Sequence, residues 1–142
     1  MKSVSTPPQS PCVCTNLRRM AQRVTGFYDA ALEPAGISVT QYSLLANISR
    51  MPGCGTGQLA QRVRLERSTL VRTLQPLLHQ GFIVDKAPAG SRKRQLYLSP
   101  LGEDVLARAM TLWQQAQTDI KTHLGESYET LWHIFTQIDS LK

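Results

Sequence analysis

Cysteine, aromatic side chains, acidic charge and long apolar runs are all scarce in this sequence, and each shortage removes a class of protein. Three cysteines in 142 residues, an odd number, argue against a disulfide framework and make free thiols the default. No apolar run nears the roughly 18 residues that a bilayer-crossing helix needs. Residues Met1 to Pro11 are rich in Ser, Thr and Pro and lack the apolar segment of a secretory leader. These features predict a cytoplasmic protein with no membrane partner and a flexible tail over residues 1–12. Aromatics make up 6% of the chain, which fits a helix-rich protein that by length is a single domain. No glycine-rich phosphate loop, nucleophile elbow or His-Glu metal motif is present, so an enzyme is not expected. The histidines, His79, His123 and His133, fall into no zinc pattern.

Ten acids stand against sixteen Lys and Arg, and the imbalance is concentrated. Between Thr40 and Leu98 lie nine cations (Arg50, Arg62, Arg64, Arg67, Arg72, Lys86, Arg92, Lys93 and Arg94) and two acids, Glu66 and Asp85. The balance there is +7, against +2 before this stretch and −3 after it. Positive charge gathered on one segment is the electrostatic footprint of a duplex DNA reader.

The periodicity around this segment is helical. Leu17, Met20, Ala21, Val24, Phe27, Tyr28, Ala31 and Leu32 form one stripe that Pro34 and Gly36 close. A second helix, capped by Ser38 or Thr40, carries Tyr42, Leu44, Leu45 and Ile48 and stops at Met51–Gly55. Thr56 is a candidate cap for a short third helix with Leu59, Ala60 and Val63 inward. After a turn at Arg64–Glu66, a fourth helix is predicted over Arg67–Gln80, with Leu70, Leu74, Leu77 and Leu78 facing the core and Pro76 bending its last turn. Phe82–Ala87 and Arg94–Leu98 predict a hairpin around Pro88–Gly90. Two more helices follow, from Leu101 to about Leu124 and from about Ser127 to Leu141. The first helix and the last two have broad apolar faces far in sequence from the small central core. A second copy of the chain is the cheapest cover for them.

The fourth helix opens with Arg67, Ser68, Thr69, Arg72 and Thr73, short polar and cationic side chains of the kind that meet base edges and phosphates in a major groove. Arg72, with a forked donor set, suits guanine, whereas Ser68 can equally serve as a helix cap. The hairpin tip, with Arg92, Lys93 and Arg94 in succession, suits the electronegative minor groove, and Lys86 suits the DNA backbone. A winged-helix adaptor that binds protein instead of DNA is the rival reading, but it has no use for so cationic a head.

These segments resemble the MarR family of winged helix-turn-helix regulators: Gln41–Tyr42, Gln58–Leu59–Ala60, Leu65–Arg72, Gly81–Phe82–Ile83, Arg92, and Leu96–Gly102. The resemblance implies a mainly α fold with a small β-hairpin. Residues 39–100 would form the winged helix-turn-helix and residues 13–38 and 101–142 the dimerisation helices. It further implies a homodimer, usually a repressor, on near-palindromic double-stranded DNA, with Gln58 among the contacts, released by an effector. One departure stands out. The family's wing has Asp two positions before the Arg matching Arg92; here that position is Gly90, so the Asp–Arg brace expected there is absent.

No cofactor is called for, and three classes of effector remain open beside the reading that the thiols are incidental and no effector acts. The helix start, with Arg18 and Arg19 one turn on, favours a reactive thiolate at Cys14. By resemblance, Cys14 falls where OhrR-type peroxide sensors carry their reactive cysteine and Tyr28 where a partner tyrosine stands, although Arg19 and Val39 replace the other two tyrosines of that arrangement. Cys12, Cys14 and Cys54 together offer soft ligands to a metal or metalloid ion such as zinc, copper(I) or arsenite. A small aromatic ligand between the dimer helices and the reading head is the third class.

Overall fold

A computed structural model describes residues 9–142; most of the tail expected over residues 1–12 lies outside the described residues. Six helices and one hairpin follow in order: α1 Val13–Leu32, α2 Val39–Arg50, α3 Thr56–Val63, α4 Arg67–His79, β1 Ile83–Asp85, β2 Leu96–Leu98, α5 Pro100–Leu124 and α6 Ser127–Asp139, with a single 3-10 turn at Glu33–Ala35 after α1.

Local chemistry sets most boundaries. The Ser38 hydroxyl accepts from the Gln41 amide and the Gln41 side chain accepts from the Ser38 amide, a reciprocal cap that starts α2. Asp29 reaches from α1 to accept from the Val39 amide at 2.8 Å and fixes the angle between the two helices. The expected cap Thr56 is instead the first residue inside α3; Gly55 precedes it, and the Gln58 side chain accepts from the Gly55 amide at 3.2 Å. Helix α4 runs through Pro76 to His79, because a proline on the exposed side removes one amide donor without stopping a helix whose opposite face is anchored in the core by Leu70, Leu74 and Leu77. Gly81, at φ +78°, then turns the chain into the hairpin.

The hairpin is antiparallel, with Ile83 opposite Leu98, Val84 opposite Tyr97 and Asp85 opposite Leu96. It is shorter than the sequence suggests at both arms. Beyond Asp85 the ladder gives way to side-chain bonds, described below. Cys54 adds a bridge on the other edge: its carbonyl accepts from Leu96, and Gly53 donates to the Leu96 carbonyl, at 3.0 and 2.8 Å. The start of α5 is welded to the same hairpin. The Ser99 hydroxyl caps Gly102 at 3.0 Å and donates to the Gly81 carbonyl at 2.5 Å. A Cβ on Gly102 would run into the Phe82 carbonyl, so only glycine lets the two backbones approach this closely.

The core lies between α2, α3, α4, the hairpin and the first half of α5, and is built of Leu44, Leu45, Ile48, Leu59, Leu70, Leu77, Ile83, Leu96, Val105 and Ala109. Tyr42 stacks on Trp113 with ring centroids 5.5 Å apart and joins α2 to α5. The terminal helices stand apart from this core. Leu32 is the one buried residue of α1, and α6 buries none. Val13, Leu17, Met20, Val24 and Phe27 on α1, and Trp132, Ile134, Phe135 and Ile138 on α6, remain exposed apolar side chains.

Candidate nucleic-acid interface

Helices α3 and α4 form the helix-turn-helix, joined by Arg64–Glu66, with Arg64 in the left-handed region at φ 55° and the Leu65 amide bonded to the Ala60 carbonyl. This turn puts the buried side of α4 on the core and leaves Arg67, Ser68 and Arg72 exposed, with Thr69 and Thr73 half-buried. Ser68 is not the cap: Glu66 occupies that position and no side chain caps the helix, so the hydroxyl and the first amides of α4 face outward together. The Thr73 hydroxyl donates to the Thr69 carbonyl at 2.8 Å, which engages its proton and leaves its oxygen to accept. Gln58 is exposed, with its amide oxygen engaged at the start of α3.

Arg67, Val71 and Gln75 fall at successive four-residue steps and line one side of a groove of about 370 Å³; Arg92 and Arg94 of the hairpin line the other, with Thr56 at the start of α3. The groove therefore joins α4 to the wing and brings together Arg67, expected at the major groove, and Arg92 and Arg94, expected at the minor groove. Sequence reasoning missed Val71 and Gln75. Beside Leu70, Val71 reads as another core residue, yet it is 40% exposed. The signal that finds both is the four-residue spacing from Arg67.

The wing has its own order. The Arg94 guanidinium donates to Asp85 at 3.0 Å, and the other Asp85 oxygen accepts from the Ala87 and Gln95 amides at 3.0 Å each. These bonds, the Gln95 amide foremost, hold the Asp85 carboxyl below the usual carboxylate range. The brace missing at Gly90, which sits at φ +82°, is thus replaced by a pair nearer the base of the hairpin. Lys86 was expected along the DNA backbone; its ammonium lies 4.5 Å from the centre of the Tyr97 ring.

The cysteines do not converge. Cys12 and Cys14 are exposed and Cys54 is buried at the base of the wing, where burial pushes its thiol up. Among the described residues no group of three Cys, His, Asp or Glu is placed to hold a metal ion, so the three-cysteine site is not formed within one chain. The lowered thiol is Cys12, where the α1 amides, that of Thr15 first, favour the thiolate even without a formed cap bond. Tyr28 does not meet Cys14 in the same chain, since fourteen residues of helix separate them by about 21 Å. Its hydroxyl donates to Gln117 of α5, and burial pushes its phenol up, with Tyr128 adding to the shift.

A helix-turn-helix whose second helix presents cations outward, flanked by a cationic β-hairpin and sealed by a following helix, defines a winged-helix transcriptional regulator. The MarR family model matches residues 37–94, from just before α2 to the tip of the hairpin, and stops short of β2. Beyond the head, the fold superposes on the M. tuberculosis transcriptional regulator MosR, solved in complex with DNA, with a TM-score of 0.79 and 31% identity over 89% of this chain and 92% of that one. Among curated proteins, the HTH-type regulator BilQ of Clostridium symbiosum is 27% identical over 82% of this chain and 81% of its own length. A proposed transcriptional regulatory protein for the hcr operon of Thauera aromatica is 28% identical over 65% of this chain; the match spans 56% of that protein. The chain belongs to the MarR family of transcriptional regulators, not to a family of enzymes. Among the described residues no helix is long and apolar enough to cross a membrane.

Proposed function

We propose that the protein is a homodimeric repressor that works in the cytoplasm by occupying a near-palindromic operator. Each copy lays α4 in the major groove of one half-site and its wing in the adjoining minor groove. The observation that carries this reading is the groove in which Arg67, Val71 and Gln75 of α4 oppose the arginines of the wing. Val71 offers an apolar surface to a thymine methyl, Gln75 an amide to adenine and Arg72 a fork to guanine. The structure of MosR with DNA, a relative at 31% identity, supports the same use of this fold. Footprinting on the DNA upstream of the gene tests it. Protection of a symmetric site with half-sites one helical turn apart is expected. Weak protection of every sequence alike would favour the protein-binding adaptor.

For the signal, the Cys12–Cys14 pair is the better supported sensor, because both thiols are exposed and Cys12 is biased toward thiolate. A peroxide would pass one oxygen to the Cys12 thiolate as its O–O bond breaks and, with one proton taken from solvent, would leave Cys12 as the sulfenic acid and the peroxide as the alcohol or water. The Cys14 thiol would then displace hydroxide, giving a disulfide and water. Operator release by peroxide should vanish in Cys12→Ser. Release by arsenite alone would assign the same thiols to a soft ion, and peroxide release surviving in the Cys12→Ser/Cys14→Ser variant would return the signal to a small ligand.

A further inference from the structure

Asp85 is the one acid between Arg67 and Gly102, and it stands at the base of a hairpin that carries Lys86, Arg92, Lys93 and Arg94. Its carboxylate bridges the two arms: one oxygen accepts from Ala87 on the outgoing arm and Gln95 on the returning arm, and the other accepts from Arg94. The Lys86 amide donates to the Gln95 carbonyl at 2.9 Å just beyond the β1–β2 ladder, and the turn closes where Ser91 donates to the Pro88 carbonyl at 3.0 Å. The Asp85 side chain is 18% exposed, whereas that of Arg94 is 60% exposed. A pair this open contributes little through Coulomb attraction alone. Its value is geometric, because two backbone amides aim the carboxylate and the carboxylate aims the guanidinium.

We infer that Asp85 is a positioning residue for DNA recognition, that Arg94 acts as its brace instead of a phosphate contact, and that Arg92 and Lys93 alone carry the wing's contact with the minor groove. Resting on the DNA-binding reading above, the inference divides the three consecutive cations of the tip by role. Arg94 is turned back to the base of the hairpin, and the two cations before it are held at the tip with Ser91 bonding across them: its hydroxyl donates to the Lys93 carbonyl at 3.2 Å and accepts from the Lys93 amide at 3.3 Å. Without the brace, three adjacent like charges repel and the tip loses its direction.

The two roles for Arg94 predict opposite signs for one substitution. Asp85→Asn removes a negative charge beside the DNA and frees Arg94, so if Arg94 were a phosphate contact the operator would bind more tightly. If Arg94 is the brace, operator affinity falls about tenfold while affinity for unrelated duplex is held or rises. Fluorescence anisotropy of the full chain on the footprinted operator and on a scrambled duplex, over a range of salt, reads both. A second variant, Arg94→Gln, should show the same fall with an unchanged slope of log affinity against log salt, and the double variant should be no worse than either single one. Tighter operator binding by Asp85→Asn, additive losses, or a salt slope shallower by about one in Arg94→Gln would overturn the inference. Wild-type protein that binds no operator at all would instead overturn the DNA-binding reading, so the two failures are distinguishable.

Discussion

Arg72 is exposed on α4 and makes no ion pair or side-chain hydrogen bond among the described residues, so under the proposed function its forked cation is the side chain on which base discrimination would rest. Arg72→Ala should cost about 1–3 kcal/mol on the operator and much less on unrelated duplex; paired anisotropy titrations check both. Asp85 supplies a second prediction. Its carboxyl titrates below its unfolded value, so the stability it adds is present above the unfolded carboxylate pKa of about 3.9 and is lost as pH falls through the folded value. Urea melts below about pH 4 should therefore show wild type losing stability that Asp85→Asn does not have to lose. At this scale the exposed arginines were legible, because surface cations at helical spacing next to a turn have few other uses. Val71 was not, because an apolar residue beside Leu70 looks like core until the helix has a direction. The Asp85–Arg94 pair was not either, since two residues nine apart meet only once the hairpin register is known.

The elements were legible wherever a side chain does the capping, as at Ser38 and Ser99, and shifted where backbone geometry decides, as at Gly55. Strand length escaped the sequence for a related reason: a carboxylate takes over the hydrogen bonds that a longer ladder would have made. The join between hairpin and α5 is the element contact most open to test. Gly102 faces the Phe82 carbonyl with no room for a methyl group, and the obstacle is backbone, which cannot rotate away. Gly102→Ala should lower stability by about 1–3 kcal/mol through overpacking, seen as a drop in Tm, and should weaken operator binding further because the wing hangs from the same strands.

For the molecule as a whole, the sequence announced apolar stripes on the first and last helices and pointed to a second copy of the chain as their cover. One chain does not cover them. Trp132 and Phe135 are 53% and 45% exposed on a helix that buries nothing. Burying two such side chains against a second copy is worth about 1.5–3 kcal/mol each, and MarR regulators are dimeric. Phe135→Asp should convert the protein to monomers in light scattering coupled to size exclusion, and should reduce operator affinity by far more than it lowers Tm, since one head alone loses the gain from joint binding. The +7 head and the apolar terminal helices would then divide the labour of one chain under the proposed function, the first meeting phosphate and the second setting the spacing between heads.

The account stands on two cationic heads engaging one symmetric DNA site, and stoichiometric titration of that site across a range of salt measures this directly. It predicts two chains per site and a slope of log affinity against log salt of about −5 or steeper. One chain per site, or an affinity that salt leaves unchanged, would contradict it.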